Sequence, residues 1–138
     1  MSRDLYTLIY FSELTFKSHV PLDVTALIYS IVEESTQKNL MNNITGVLYY
    51  KAGWFTQVLE GPLNKIEDTF ERIALSSQHK NIRVIEYCRA DTRVFQDWSM
   101  KPLIDSDLDL QTSDLSSPRK LAETLYELRR LIDKSLPN

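Results

Sequence analysis

The chain has 138 residues, 43% of them hydrophobic and 25% charged, with a formal net charge of −3. A domain of this size buries roughly two-thirds of its unfolded surface, so its core needs no metal or disulfide staple, and the acidic balance speaks against a surface that binds nucleic acid by neutralising phosphates. The one cysteine, Cys88, has no internal partner, the first residues lack a signal-peptide core and cleavage site, and no apolar run reaches the roughly 18 to 20 residues of a membrane span, so one cytoplasmic domain is expected.

Leu5 to Phe11 is a nearly continuous apolar run that reads as a central strand, with Tyr6, Leu8 and Tyr10 on one face. From Pro21 to about Lys38 the period changes: Val24, Leu27, Ile28, Ile31 and Val32 recur at helical spacing, with Pro21 suited to the first turn. Asn39 closes this helix as a C-cap, because asparagine tolerates the left-handed conformation needed there. Two runs rich in β-branched and aromatic residues follow, Ile44 to Tyr50 and Trp54 to Leu59, and the break Lys51-Ala52-Gly53 between them reads as a hairpin. After Gly61-Pro62, Leu63, Ile66, Phe70, Ile73 and Ala74 mark a second helix.

Asn81 to Cys88 is expected to be a strand in which Ile82, Val84 and Glu86 alternate against Arg83, Ile85 and Tyr87. Val94 to Met100 is expected to hold a last edge strand carrying Trp98 or Met100 inward. The order β-α-β-β-α-β with an extra strand is the ferredoxin-like α+β arrangement, a largely antiparallel sheet with two helices on one face. Residues 1 to 104 form this domain. Beyond it lie an acidic, turn-rich linker from Asp105 to Ser117 and a helical extension opened by Pro118, with Leu121, Leu125, Leu128 and Ile132 on one side.

One residue of the hairpin is out of place. Side chains alternate along a strand, so Phe55, Gln57 and Leu59 share a face, and an uncharged amide stands between two large apolar groups. An unpartnered polar group is costly there, and Gln57 needs a hydrogen-bond partner.

Several common sources of chemistry are excluded. With only three glycines, Gly46, Gly53 and Gly61, the chain has neither a dinucleotide-binding glycine fingerprint nor a P-loop. Asp105, Asp107 and Asp109 resemble the start of a calcium loop, but Leu110 and Ser116 stand where glycine and the bidentate glutamate are required. Two histidines, His19 and His79, and a single cysteine are too few for a transition-metal site or a Cys/His nucleophile. The sequon at Asn43-Ile44-Thr45 opens a core strand in a chain without an export signal.

Five separated pieces then fall together. Tyr10 in the first strand, N-x-x-x-x-I-T-G from Asn39 to Gly46, F-x-Q-V-L-E-G from Phe55 to Gly61, the pair Gln78-His79, and W-S-M from Trp98 to Met100 occur in one order over residues 3 to about 104. Together they resemble a BLUF domain, a sensor of blue light using FAD, of the short single-domain type. The resemblance implies FAD held between the two helices by Tyr10, Asn39, Gln57 and His79. It further implies that Tyr10 donates an electron and a proton under light. Gln57 then rearranges between that phenol and the flavin edge, and a red-shifted signalling state relaxes in the dark. Trp98 and Met100 are implied as the signal relay. An amide suits the switching role because it both donates and accepts hydrogen bonds, and so reverses polarity without becoming charged.

Each residue also has an ordinary role. Tyr10 is an ordinary strand tyrosine, Gln57 an amide satisfied by backbone or water, Asn39 a cap, His79 a solvated helix-end histidine, and Trp98 and Met100 core fillers. Three positions depart from the family pattern: Lys38 beside Asn39, Thr56 before the glutamine, and Gln78 where arginine is common. The last of these leaves the FAD diphosphate to Lys80 or another basic residue.

Residues 105 to 138 are too few for a cyclase, phosphodiesterase or kinase, so no enzymatic activity is expected and output passes by contact to a protein partner or a second copy. Arg119-Glu123 and Arg129-Asp133 would support the solvated side of the last helix. Two other readings stand beside this one. An RNA-recognition-type module would stack bases on Tyr49, Tyr50 and Trp54, although only Lys51 is basic beside them. The other is a flavin-binding regulatory domain without photoactivity.

Overall fold

The computed structural model describes residues 4–15, 21–51 and 53–104. The expected linker and C-terminal helix lie outside the described residues. Seven elements follow in order: β1 (Leu5–Leu14), α1 (Pro21–Asn42), β2 (Thr45–Lys51), β3 (Trp54–Pro62), α2 (Leu63–Ala74), β4 (His79–Arg89) and β5 (Lys101–Ile104). The five strands form one sheet in the order β4-β1-β3-β2-β5. Only the β2–β5 pair is parallel. The expected ferredoxin-like sheet is therefore present, with a fifth strand added beside β2.

Both helices pack on one face, where Leu8 and Tyr10 of β1, Leu48 of β2 and Phe55 and Leu59 of β3 form one apolar cluster with Ile28 and Val32 of α1 and Ile66 of α2. The opposite face of the same strands carries Ile9, Val47, Tyr49, Thr56 and Val58, and these are buried as well. Burial on both faces explains why β1 reads as a continuous apolar run and not as an alternating one. On the second face the Thr56 hydroxyl has no hydrogen-bond partner among the described residues.

The hairpin closes as expected: Lys51 pairs with Trp54, and Gly53 takes φ +88°, which glycine adopts without steric cost. Gly46 serves a different purpose. A Cβ at this position would stand 1.8 Å from the Val58 carbonyl oxygen, so only glycine lets β2 lie against β3 at that point. Gly46→Ala should lower the unfolding free energy by about 3 kcal/mol, read as a fall in the urea midpoint.

Three sequence expectations change. First, α1 does not stop at Asn39 but continues one turn to Asn42, and Asn43 at φ 56° takes the left-handed position. The Ile44 N–H donates to the Asn39 carbonyl at 2.9 Å, which is the long-range bond of a Schellman cap. Asn39 thus contributes its backbone to the cap, and its side chain is free for other work.

Second, β4 does not alternate regularly. Its pairing with β1 slips between Ile9 and Tyr10 and again between Phe11 and Glu13, the latter slip beside Asn81 at φ 54°. Each slip places an extra residue in β4. Ile82 consequently packs against the core while Val84 is 48% exposed.

Third, residues 94–100 form bends and turns, and the last strand begins only at Lys101. The reason lies in two backbone amides: the N–H groups of Val94 and Phe95 donate to the Glu60 carboxylate at 2.6 and 2.9 Å, which removes them from any strand ladder.

Candidate functional site

Antiparallel register puts Tyr10 of β1 directly opposite Gln57 of β3. Such cross-strand partners have Cβ atoms about 5 Å apart on the same face of the sheet. The consequence is direct contact: the Tyr10 hydroxyl donates to Gln57 Oε1. The partner required by the buried amide is therefore the phenol. On its other side, Gln57 Nε2 lies 3.7 Å from Met100 Sδ, a weak acceptor. The Gln57 amide thus sits between a strong donor and a soft, polarisable sulfur.

Gln57 also forms the floor of a groove between α1 and α2. Two adjoining cavities of about 150 and about 60 Å³ share Ile31 and Ser35 from α1, Gln57 from β3 and Ile73 from α2. Tyr10 and His79 line the inner cavity, and Asn39, Lys38 and Arg72 line the outer one. Apolar walls from two helices over a floor bearing an amide suit a flat heteroaromatic ring with polar edges. Toward the outer part lie Lys38, ion-paired with Glu34 at 2.9 Å, and Arg72, which donates to Thr69 Oγ1, so an anionic tail there would compete with Glu34 for Lys38. Lys80, expected as a possible diphosphate contact, does not line the groove.

Tyr10 is fully enclosed. Its ring meets Phe70 edge-on at 5.6 Å and lies 6.0 Å from the His79 ring. Burial holds the phenol proton far above the ordinary tyrosine range, because the phenolate would lose its hydration. The folded state therefore keeps a proton that the unfolded chain releases near pH 10. Stability must fall as pH rises above about 10, by up to about 1.4 kcal/mol per pH unit for this one group. Urea midpoints at about pH 9 and about pH 11 check this, with Tyr10→Phe expected to lose less stability over that interval than the parent protein.

His79 opens β4, and its two ring nitrogens are both engaged. Nε2 lies 2.6 Å from the Ile73 carbonyl, which can only accept, so Nε2 carries the hydrogen. In the neutral ring Nδ1 then accepts from Ser12 Oγ at 2.7 Å. His79 thereby ties the end of α2 to β1 beside Tyr10, a structural task that sequence reasoning did not assign to it. Ser12 carried no signal of its own, being a small polar residue at the end of an apolar run.

The Asn39 side chain is buried, and its Nδ2 donates to the Ser99 carbonyl at 2.6 Å. Met100 points inward and is 6% exposed, whereas Trp98 is half-buried with its ring 6.1 Å from Phe95. The structure thus brings Tyr10, Gln57, Asn39 and His79 to one groove, with Met100 reaching it only through Gln57, while Trp98 lines neither cavity. Ile31 and Ile73 were legible only as helix positions, because a groove wall and a core face carry the same apolar spacing, and Arg72 was not singled out.

The three hairpin aromatics are engaged within the protein: Trp54 meets Phe11 edge-on at 5.8 Å and Tyr50 lies 5.5 Å from Phe55. Tyr49 is 2% exposed, and the Tyr50 hydroxyl accepts from the Gly53 amide at 3.0 Å. Among the described residues, no helix is long and apolar enough to cross a membrane.

A family model described as sensors of blue-light using FAD matches residues 5–101. The chain is 30% identical over 97 residues to the photoactivated adenylate cyclase subunit beta of Euglena gracilis, a match covering 70% of this chain and 11% of that protein. It thus spans about a tenth or less of the length of the curated relatives it matches. Among solved structures, the dark state of BlrB, a BLUF protein, is similar with a TM-score of 0.81 and 32% identity over 97% of this chain and 98% of that one. The photo-activated state of BlsA gives a TM-score of 0.77 and 28% identity over 91% and 94% of the two chains.

Proposed function

Because the chain belongs to the BLUF family of blue-light sensors that use FAD, we propose that it is a photoreceptor in which Tyr10 and Gln57 form the light switch. The observation that carries this reading is the buried hydrogen bond from the Tyr10 hydroxyl to Gln57 Oε1 on the floor of the groove. Ile31 and Ile73 would enclose the ring system of FAD, Asn39 and Gln57 would meet its polar edge, and Lys38 and Arg72 would face its diphosphate; all six line the groove. When bound, FAD supplies the absorption of blue light and an excited state able to take up one electron.

The protein supplies the rest. A phenol is among the few side chains that can give up an electron to such an acceptor, and loss of that electron makes its O–H strongly acidic. The proton has one prepared destination, Gln57 Oε1. On its other side the bond from Gln57 Nε2 to Met100 Sδ is weak, so it restrains rotation or tautomerisation of the amide without preventing it. When the electron and proton return to Tyr10, the rearranged amide remains as the record of the photon until it relaxes in the dark. The apolar walls exclude water, which would otherwise offer the phenol proton a different route.

Output passes through Met100 and Trp98 into β5 and on to a protein partner or a second copy of the chain, without substrate turnover by residues 1–104. The Euglena gracilis relative, by its name a photoactivated cyclase subunit, is a far longer protein than the matched region.

The test is the absorbance of protein purified with FAD supplied during expression. A flavin spectrum that red-shifts reversibly under blue light is the expected result. Flavin absorption that never shifts would mark a dark flavin-binding domain, and a colourless protein would defeat the reading altogether.

A further inference from the structure

Glu60 is 1% exposed and lies at the far end of β3 from the hairpin. Its carboxylate accepts three hydrogen bonds: the Thr45 hydroxyl at 3.1 Å and the Phe95 amide at 2.9 Å on Oε1, and the Val94 amide at 2.6 Å on Oε2. Arg93 completes the knot. It donates to Thr45 Oγ1 and the Glu60 carbonyl at 2.8 and 2.9 Å, and to the Asn43 carbonyl at 2.8 Å. Thr45 thus relays between the cation of Arg93 and the anion of Glu60, so neither charge is buried uncompensated.

The segment tied down here is the one that carries Trp98 and Met100. Beyond Phe95, the contacts that lead to the switch are neutral: Trp98 N–H to the Phe95 carbonyl at 3.1 Å, Gly46 N–H to the Trp98 carbonyl at 3.0 Å, Asn39 Nδ2 to the Ser99 carbonyl at 2.6 Å, and Gln57 Nε2 to Met100 Sδ at 3.7 Å. Hydrogen bonds to an ionised acceptor are roughly twice as strong as neutral ones, and a thioether sulfur is among the weakest acceptors. One end of the segment is therefore firm, and the other is soft where it meets the switch.

We propose that Glu60 is a positioning residue for the light switch: its buried carboxylate pins residues 93–95, and so fixes where Trp98 and Met100 meet Gln57. This rests on the reading of Gln57 as the switching amide. When Gln57 rearranges, the segment pivots about residues 93–95, and displacement is confined to residues 98–100 and the start of β5. Without the clamp, Met100 no longer restrains the amide, and the rearranged state relaxes sooner.

Glu60→Gln tests this in the flavin-loaded protein, because an amide offers its NH₂ to a backbone N–H that needs an acceptor. The light-induced shift should persist, with dark recovery about tenfold faster. In the dark, NMR-detected exchange of the Val94, Phe95 and Trp98 amides should also rise about tenfold, while the Val58 and Leu59 amides keep their protection. The effects of Glu60→Gln and Met100→Ala on recovery should be non-additive, since both release the same contact; a general loss of stability would leave them additive.

Recovery within about twofold of the parent, or additive effects, overturns the clamp alone. A parent protein that binds flavin without any light-induced shift overturns instead the reading on which the clamp rests. Should Glu60→Gln fail to fold, Thr45→Val removes one of the three donors and must accelerate recovery in smaller measure; an unchanged rate in that variant is equally fatal.

Discussion

Gln57→Leu is expected to bind FAD at the parent stoichiometry and to lose the light-induced red shift entirely. Leucine nearly matches glutamine in volume and sits on a face already occupied by Phe55 and Leu59, so the groove floor keeps its shape. The Tyr10 hydroxyl, by contrast, loses its acceptor in a fully buried position, which costs about 1 to 3 kcal/mol of stability. Binding and switching are thereby separated. The flavin-to-protein ratio after gel filtration reports the first, and the light-minus-dark difference spectrum reports the second. Retention of a full reversible shift in this variant would show that the amide is not the group that rearranges.

Gln57 was also the residue whose oddness the sequence made most visible. Strand alternation alone placed an amide among apolar neighbours, and the register then supplied Tyr10 as its partner, 47 positions away along the chain. The order of elements along the chain and both helices were legible for a related reason: long periodic apolar segments leave few alternatives.

What escaped the sequence was local. Asn39, Asn42 and Asn43 follow closely, and any of them tolerates the left-handed cap; the choice of Asn43 depends on which side chain the fold buries, and that is Asn39 through its bond to Ser99. The strand expected over residues 94–100 failed because Glu60, distant in sequence, captures the amides that a ladder would use. The bulges in β4 likewise follow from pairing with β1 and leave no periodic trace. Short-range pattern determined the elements, and long-range polar contacts determined where they end.

Tyr10→Phe is the second decisive substitution, and here the expectation is a bound, spectrally ordinary flavin with signalling-state yield reduced at least about tenfold. The phenyl ring keeps its contacts with Phe70 and His79, so the packing around the groove is preserved. Only the hydroxyl is removed, and with it both the low-lying electron donor and the proton it hands to Gln57. Trp98 is the rival donor. If Tyr10→Phe still shifts while Tyr10→Phe/Trp98→Phe does not, the electron comes from Trp98, and the hydrogen bond to Gln57 serves orientation alone. The parent's pH profile is an independent check on the Tyr10 proton. A switch that depends on the Tyr10 proton must keep its full amplitude up to at least about pH 10, because burial holds that phenol protonated well beyond the ordinary range. An amplitude that fell away near neutral pH would place the required proton on some other group.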